Sequence, residues 1–119
     1  MRWIRVCPAC NSRRVFATTT GPAVPDGSTV DAEGFLWNAE WDGWRLTRYA
    51  PDGQIDRIIE LPVQKPTSCA FGGPDLKTLY ITTASRDLDA AERKAQPLAG
   101  CLFALEPGVA GCAEARYDG

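Results

Sequence analysis

Histidine is absent from all 119 residues. Its absence removes the commonest transition-metal ligand and the usual general base. No apolar run reaches the roughly 20 residues a membrane-spanning helix needs, and "MRWIRVCPAC" is charged at its start without a signal peptide's apolar centre. Membrane partners are therefore excluded and a cytoplasmic location is expected. Neither sign of charge dominates, since 13 Lys and Arg stand against 15 Asp and Glu for a net charge of -2. Without a basic stripe to neutralise phosphates, nucleic acid is excluded as a partner. Cysteines are few and odd in number: Cys7, Cys10, Cys69, Cys101 and Cys112. Most sit in apolar, strand-like runs, which suits reduced thiols better than a secreted disulfide framework.

What the sequence does contain is the makings of one folded domain. Its hydrophobic fraction of 45% and charged fraction of 24% are ordinary for a globular chain of this length. Turn signals recur at even spacing: "PDG" at residues 25–27, "EG" at 33–34, "DG" at 42–43 and "PDG" again at 51–53. Proline presets the first corner of a turn and glycine supplies positive φ, so each site is read as a chain reversal. Between them lie "STVDA", "FLWNAEW", "WRLTRYA" and "QIDRIIELP", each of strand length and rich in β-branched or aromatic residues. The spacing predicts four consecutive antiparallel strands. In the second of these Phe35, Trp37, Ala39 and Trp41 alternate onto one face.

A second unit of the same element order follows: "TSCAFGG", "TLYITTA", "CLFALE" and "GCAEARY". It is interrupted at residues 85–100 by "SRDLDAAERKAQPLAG", read as a long loop with one or two helical turns after an Asp87 cap, ended by Pro97. The charged run "DLDAAERK" has two readings, a solvated helix face and, less favoured, a lid. The expected core is Val30, Leu36, Trp37, Ile58, Cys69, Phe71, Leu79, Ile81, Leu102 and Phe103. Four-stranded units repeated at about 40 to 45 residues are the signature of β-propeller blades. Eight short strands also suit a small sandwich or barrel, so the strand pattern leaves both architectures open.

The residues themselves narrow that choice. "PDGSTVDAEGFLWNAEWDGWRLTRYAPDGQIDRIIELPVQKPTSCAFGGPDLKTLYITTA", followed by "QPLAGCLFAL", resembles the C-terminal part of the regucalcin/senescence-marker/gluconolactonase-like family. The resemblance runs from about residue 13 onward, with "PDG…DAEG.LW" and "LP…PTSCAFGG" as its specific parts. It implies an all-β fold: a partial six-bladed β-propeller of about two four-stranded antiparallel blades, plus "RRVFA" as the outer strand of a third. Six blades need roughly 240 to 270 residues at this spacing. Residues 13–119 are thus expected to be the C-terminal part of such a domain, and residues 1–12 a leader of uncertain structure.

The resemblance further implies a divalent metal (Ca, Mg, Mn or Zn) at one mouth of the central channel and hydrolysis of a sugar lactone as substrate. One family metal ligand, the Asp of a "PDG" tripeptide, matches Asp26. The remaining ligands and the substrate-binding residues match no segment of this sequence. Read without the resemblance, Asp26 is a turn Asp capping nearby N–H groups. A single carboxylate does not make a metal site in either case, since Ca²⁺ takes about six to eight oxygens. Asp52, in the second "PDG", is assigned to turn chemistry alone. Cys7 and Cys10 have the C-x-x-C spacing of half a zinc knuckle or a redox pair, but no second pair completes four ligands. Trp37, Trp41 and Trp44 are read as core packing ahead of a sugar-stacking platform.

Two classes of function compete: part of a metal-dependent sugar lactonase, inactive as an isolated monomer, and a non-catalytic propeller fragment serving binding or assembly. Exposed terminal faces of a partial ring predict self-association, a closed trimer being one arrangement open to it.

Overall fold

The computed structural model describes residues 13–118, and the expectations for Cys7, Cys10 and a leader over residues 1–12 lie outside them. The described residues are all-β apart from one short helix, in two antiparallel sheets. The first contains β1 (Val24–Val30), β2 (Leu36–Trp41), β3 (Arg45–Tyr49) and β4 (Ile55–Glu60) in sequential order. The second contains β5 (Pro66–Gly72), β6 (Thr78–Thr83) and β7 (Phe103–Leu105), with α1 (Ala90–Ala95) in the β6–β7 connection.

Period-two alternation decides which face each side chain takes. Trp37 and Ala39 from β2, Leu46 from β3, Cys69 from β5, and Leu79 and Ile81 from β6 meet between the sheets with Leu61 and Val63 from the β4–β5 link. Phe71, Phe103 and Leu105 close the edge of this layer, with Phe71 set edge-on to Trp37 at 6.2 Å between ring centres. The other face of the first sheet carries Asn38, Glu40, Thr47 and Tyr49, which are also buried. The segment before β1 runs over that face, with Phe16 edge-on to Tyr49 at 6.1 Å and Thr19 Oγ1 donating to the Ala23 carbonyl at 2.7 Å.

Several expectations need correction. "GCAEARY" forms no strand: only Gly111 pairs, in a single bridge to Asp31, so the second sheet has three strands. "RRVFA" is likewise irregular. Val30 and Ile58 fall on the face away from the core and are 48% and 44% exposed, and Leu102 precedes β7 at 64%. Of Trp37, Trp41 and Trp44 the first alone is fully buried; Trp41 lies under the Lys65 ammonium at 4.4 Å, and Trp44, at φ 59°, turns outward. The helix cap is Asp89 rather than Asp87: Asp89 Oδ1 accepts from Glu92 N at 2.8 Å while the Glu92 carboxylate accepts from Asp89 N at 2.9 Å. Asp87 instead takes positive φ in the turn before it.

The two "PDG" tripeptides do different work. Residues 51–53 form the expected β3–β4 turn, where Gly53 has φ 88° and Asp52 Oδ1 accepts from Gln54 N at 3.0 Å. Residues 25–27 do not turn but lie inside β1, where the pairing with β2 slips between Pro25 and Ser28. This is a bulge, an extra length of strand that re-aims a side chain. A Cβ on Gly27 would fall 2.2 Å from Ser68 Oγ and 2.8 Å from Ser68 Cα, so glycine there lets β1 cross against β5.

Candidate functional site

The β1 bulge stands at a cavity of about 450 Å³ between the sheet and the preceding segment. Thr18 and Thr19 line one side, Asp26 and Ser28 come from β1, and Asn38 and Tyr49 come from the sheet face. Asp26 is exposed, and its main-chain oxygen, rather than its carboxylate, receives the tie to β2: Asn38 Nδ2 donates to it at 2.8 Å. The same nitrogen donates to Ser28 Oγ at 2.7 Å. Asp26 lines the cavity with four hydroxyl-bearing side chains, Thr18, Thr19, Ser28 and Tyr49, and its carboxylate, a hard oxygen donor, takes no hydrogen bond among the described residues. Asn38 is 6% exposed, and its Oδ1 has no partner among the described residues.

Next to the cavity, on the same face of the sheet, Glu40 is fully buried. Its carboxylate accepts from Thr47 Oγ1 at 2.9 Å and Tyr49 OH at 3.2 Å and pairs with Arg45. Burial, reinforced by Glu40, pushes the Tyr49 phenol up, so it is a neutral donor at physiological pH. On the core side, Arg48 forms ion pairs with Asp31 at 2.7 Å, Glu33 at 2.5 Å and Asp56 at 2.9 Å, and stacks over Phe35 at 3.9 Å. Burial opposes its charge, but hydrogen bonds to those carboxylates outweigh it and raise the guanidinium. Burial also opposes ionisation of Asp31. Hydrogen bonds from Trp37 Nε1, Arg48, and the N–H groups of Phe35 and Glu33 together win, holding its carboxyl below the usual range. The buried members of these clusters, Glu40, Asp31 and Arg48, are paired internally and brace the sheet.

Of the residues singled out from sequence, Asp26 reaches the cavity and Asp52 serves its turn. Among the described residues no three His, Cys, Asp or Glu side chains converge as a metal cage. Asp26 is one hard oxygen donor, and the described residues do not complete a coordination shell around it. Sequence reading passed over Asn38, because a polar residue in "LWNAEW" alternates onto the face nominally turned to solvent. Its signal was its place opposite Ser28 in the hairpin register.

A two-sheet antiparallel protein with one carboxylate on a strand bulge at a cavity of mixed, largely apolar lining is the class that these features define. A family model described as SMP-30/Gluconolactonase/LRE-like region matches residues 8–85, and the chain belongs to that family. It is 46% identical over 106 residues to a 6-deoxy-6-sulfogluconolactonase of Pseudomonas putida, which covers 89% of this chain and 36% of that protein. It is 42% identical over 101 residues to the pentonolactonase XacC of Haloferax volcanii, covering 82% and 35%. Among solved structures, a calcium-binding regucalcin from Agrobacterium tumefaciens superposes with a TM-score of 0.79 at 39% identity, over 85% of this chain and 35% of that one. The chain therefore spans about a third of the length of the relatives it matches. No helix among the described residues is long and apolar enough to cross a membrane.

Proposed function

We propose that the chain is part of a metal-dependent sugar lactone hydrolase. On this reading residues 13–119 are the C-terminal portion of a six-bladed β-propeller, the two sheets being blades, and Asp26 is one ligand of the divalent metal. The observation that carries it is the carboxylate of Asp26, held at the cavity by a bulge whose hydrogen bonds use only its main chain. Relatives named as gluconolactone and pentonolactone hydrolases support the substrate class, and a relative named as calcium-binding supports the metal. A divalent cation bound by Asp26 would supply Lewis acidity towards the lactone carbonyl. The Thr18 hydroxyl offers a donor and an acceptor to a polyhydroxylated substrate, and the Thr19 oxygen, whose hydrogen is taken by the Ala23 carbonyl, offers an acceptor.

A second reading, a non-catalytic module that self-associates, is favoured by the apolar side chains left on the surface. Val30, Ile55 and Ile58 are 48%, 53% and 44% exposed on the first sheet. Such side chains await a neighbouring layer, whether another segment or another copy. Sugar lactone hydrolysis followed by acid release, with and without Ca²⁺, Mg²⁺, Mn²⁺ or Zn²⁺, tests both readings when run on the wild type and Asp26→Ala. Metal-stimulated turnover lost in the variant supports the hydrolase. Equal, metal-independent background in both, from a species that light scattering shows to be oligomeric, supports the module.

A further inference from the structure

We infer that Asn38 is a positioning residue for Asp26, an inference that rests on the metal-ligand reading of that carboxylate but concerns a different side chain. A single amide nitrogen spans the irregular stretch of β1, donating to the Asp26 carbonyl at 2.8 Å and to Ser28 Oγ at 2.7 Å. These two acceptors lie on either side of Gly27, so Asn38 fixes both ends of the bulge from which the carboxylate projects. Gly27 fixes it from the other direction, since its bare Cα rests against Ser68. The bulge is held between two sheets.

The orientation of the amide is determined by chemistry. A carbonyl can only accept, so the atom facing the Asp26 oxygen must be the nitrogen. That choice leaves Oδ1 buried without a partner among the described residues. It is the nitrogen, through its two bonds, that ties Asn38 to the bulge. Serine, threonine and aspartate offer at most one donor and cannot make both bonds.

The test uses the 119-residue chain in solution by NMR, with Mn²⁺ as a paramagnetic probe of cation approach. In the wild type, Mn²⁺ broadens the Asp26 carboxyl and Gly27 resonances first, and Asp26→Asn abolishes this. Asn38→Val should speed amide exchange of Gly27 and Ser28 by about fivefold or more, the effect of losing at least one net hydrogen bond. It should also weaken Mn²⁺ broadening at Asp26 severalfold, while the β3 amides keep wild-type shifts and exchange. Asn38→Thr, which retains one donor, should fall between the two and serves if the valine variant does not fold. Unchanged exchange and shifts at Gly27 and Ser28 in both variants would overturn the positioning role. Absence of wild-type broadening at Asp26 would instead strike the metal-ligand reading, and the exchange measurement would still decide whether Asn38 sets the bulge.

Discussion

Replacing Arg48 with Met preserves much of the side chain's length and apolar stem while removing a charge that three carboxylates share. Arg48 is 4% exposed, and its most deeply buried partner, Asp31, is 1% exposed. Breaking a buried pair by deleting one partner generally costs about 3–5 kcal/mol, because the other charge is stranded. Here the lower end applies. Asp31 keeps Trp37 Nε1 at 2.8 Å and the N–H groups of Glu33 and Phe35 at 2.9 and 3.1 Å, while Glu33 and Asp56 can turn to water. A loss of about 3 kcal/mol corresponds to a fall in Tm of about 12 °C for a domain of this size. The pH dependence supplies a second reading. The Asp31 carboxyl lies below its ordinary value of 3.8 in the folded chain, so the stability it contributes is present above that value and is lost as pH falls through the folded pKa. Without Arg48 the folded pKa rises, and acid unfolding of the variant should begin at higher pH than in the wild type. Circular dichroism melts from pH 3 to 7 measure both effects. A Tm within about 3 °C of wild type at pH 7, with an unmoved acid limb, would show that Arg48 does not stabilise the fold through these carboxylates.

Gly27→Ala should push β1 off β5, since the new Cβ meets Ser68 backbone as well as its side chain; a loss of about 1–3 kcal/mol is expected in urea titration. Ser68→Gly should recover part of it, and a neutral Gly27→Ala would mean the sheets are not so closely apposed. Burial pushes the Cys69 thiol up to about 12, so alkylation at neutral pH, mapped by peptide mass spectrometry, should modify exposed Cys101 and Cys112 while sparing Cys69 until the chain unfolds. Modification of Cys69 at the rate of Cys101 would contradict its place between the sheets.

The strands of the first sheet were legible because β-branched and aromatic runs alternate cleanly between turn signals. The same alternation misplaced Val30 and Ile58, since it tells that residues share a face but not which face meets the other sheet. Burial of Asp31, Glu40 and Arg48 was hidden for a related reason: charged residues are ordinarily exposed, and only their mutual pairing across strands pays for bringing them inside. At residues 25–27 the turn reading failed because a glycine that suits a reversal suits a close crossing equally well, and the crossing partner Ser68 is 41 positions further along the chain. The short third strand of the second sheet has too few residues to project a pattern. For the site, Asp26 was visible through a family motif, whereas Asn38 acquires its role only when the hairpin brings it opposite Ser28.

The two dissimilar buried faces of β2 have a consequence for how the chain finds its pairing. Trp37 and Ala39 enter the apolar core, with the Trp37 indole N–H alone reaching a polar partner, Asp31, while Asn38 and Glu40 enter a layer of oxygen and nitrogen. Were β2 to pair one residue out of step, the carboxylate of Glu40 would be driven among Leu46, Val63 and Leu79, and the indole of Trp37 would displace Thr47's partner on the other side. An unpaired buried charge is prohibitive. A strand greasy on one side and wet on the other would slide at little cost, because water accepts any polar group; this one is keyed on both sides, and the misaligned hairpin has nowhere to put its acid.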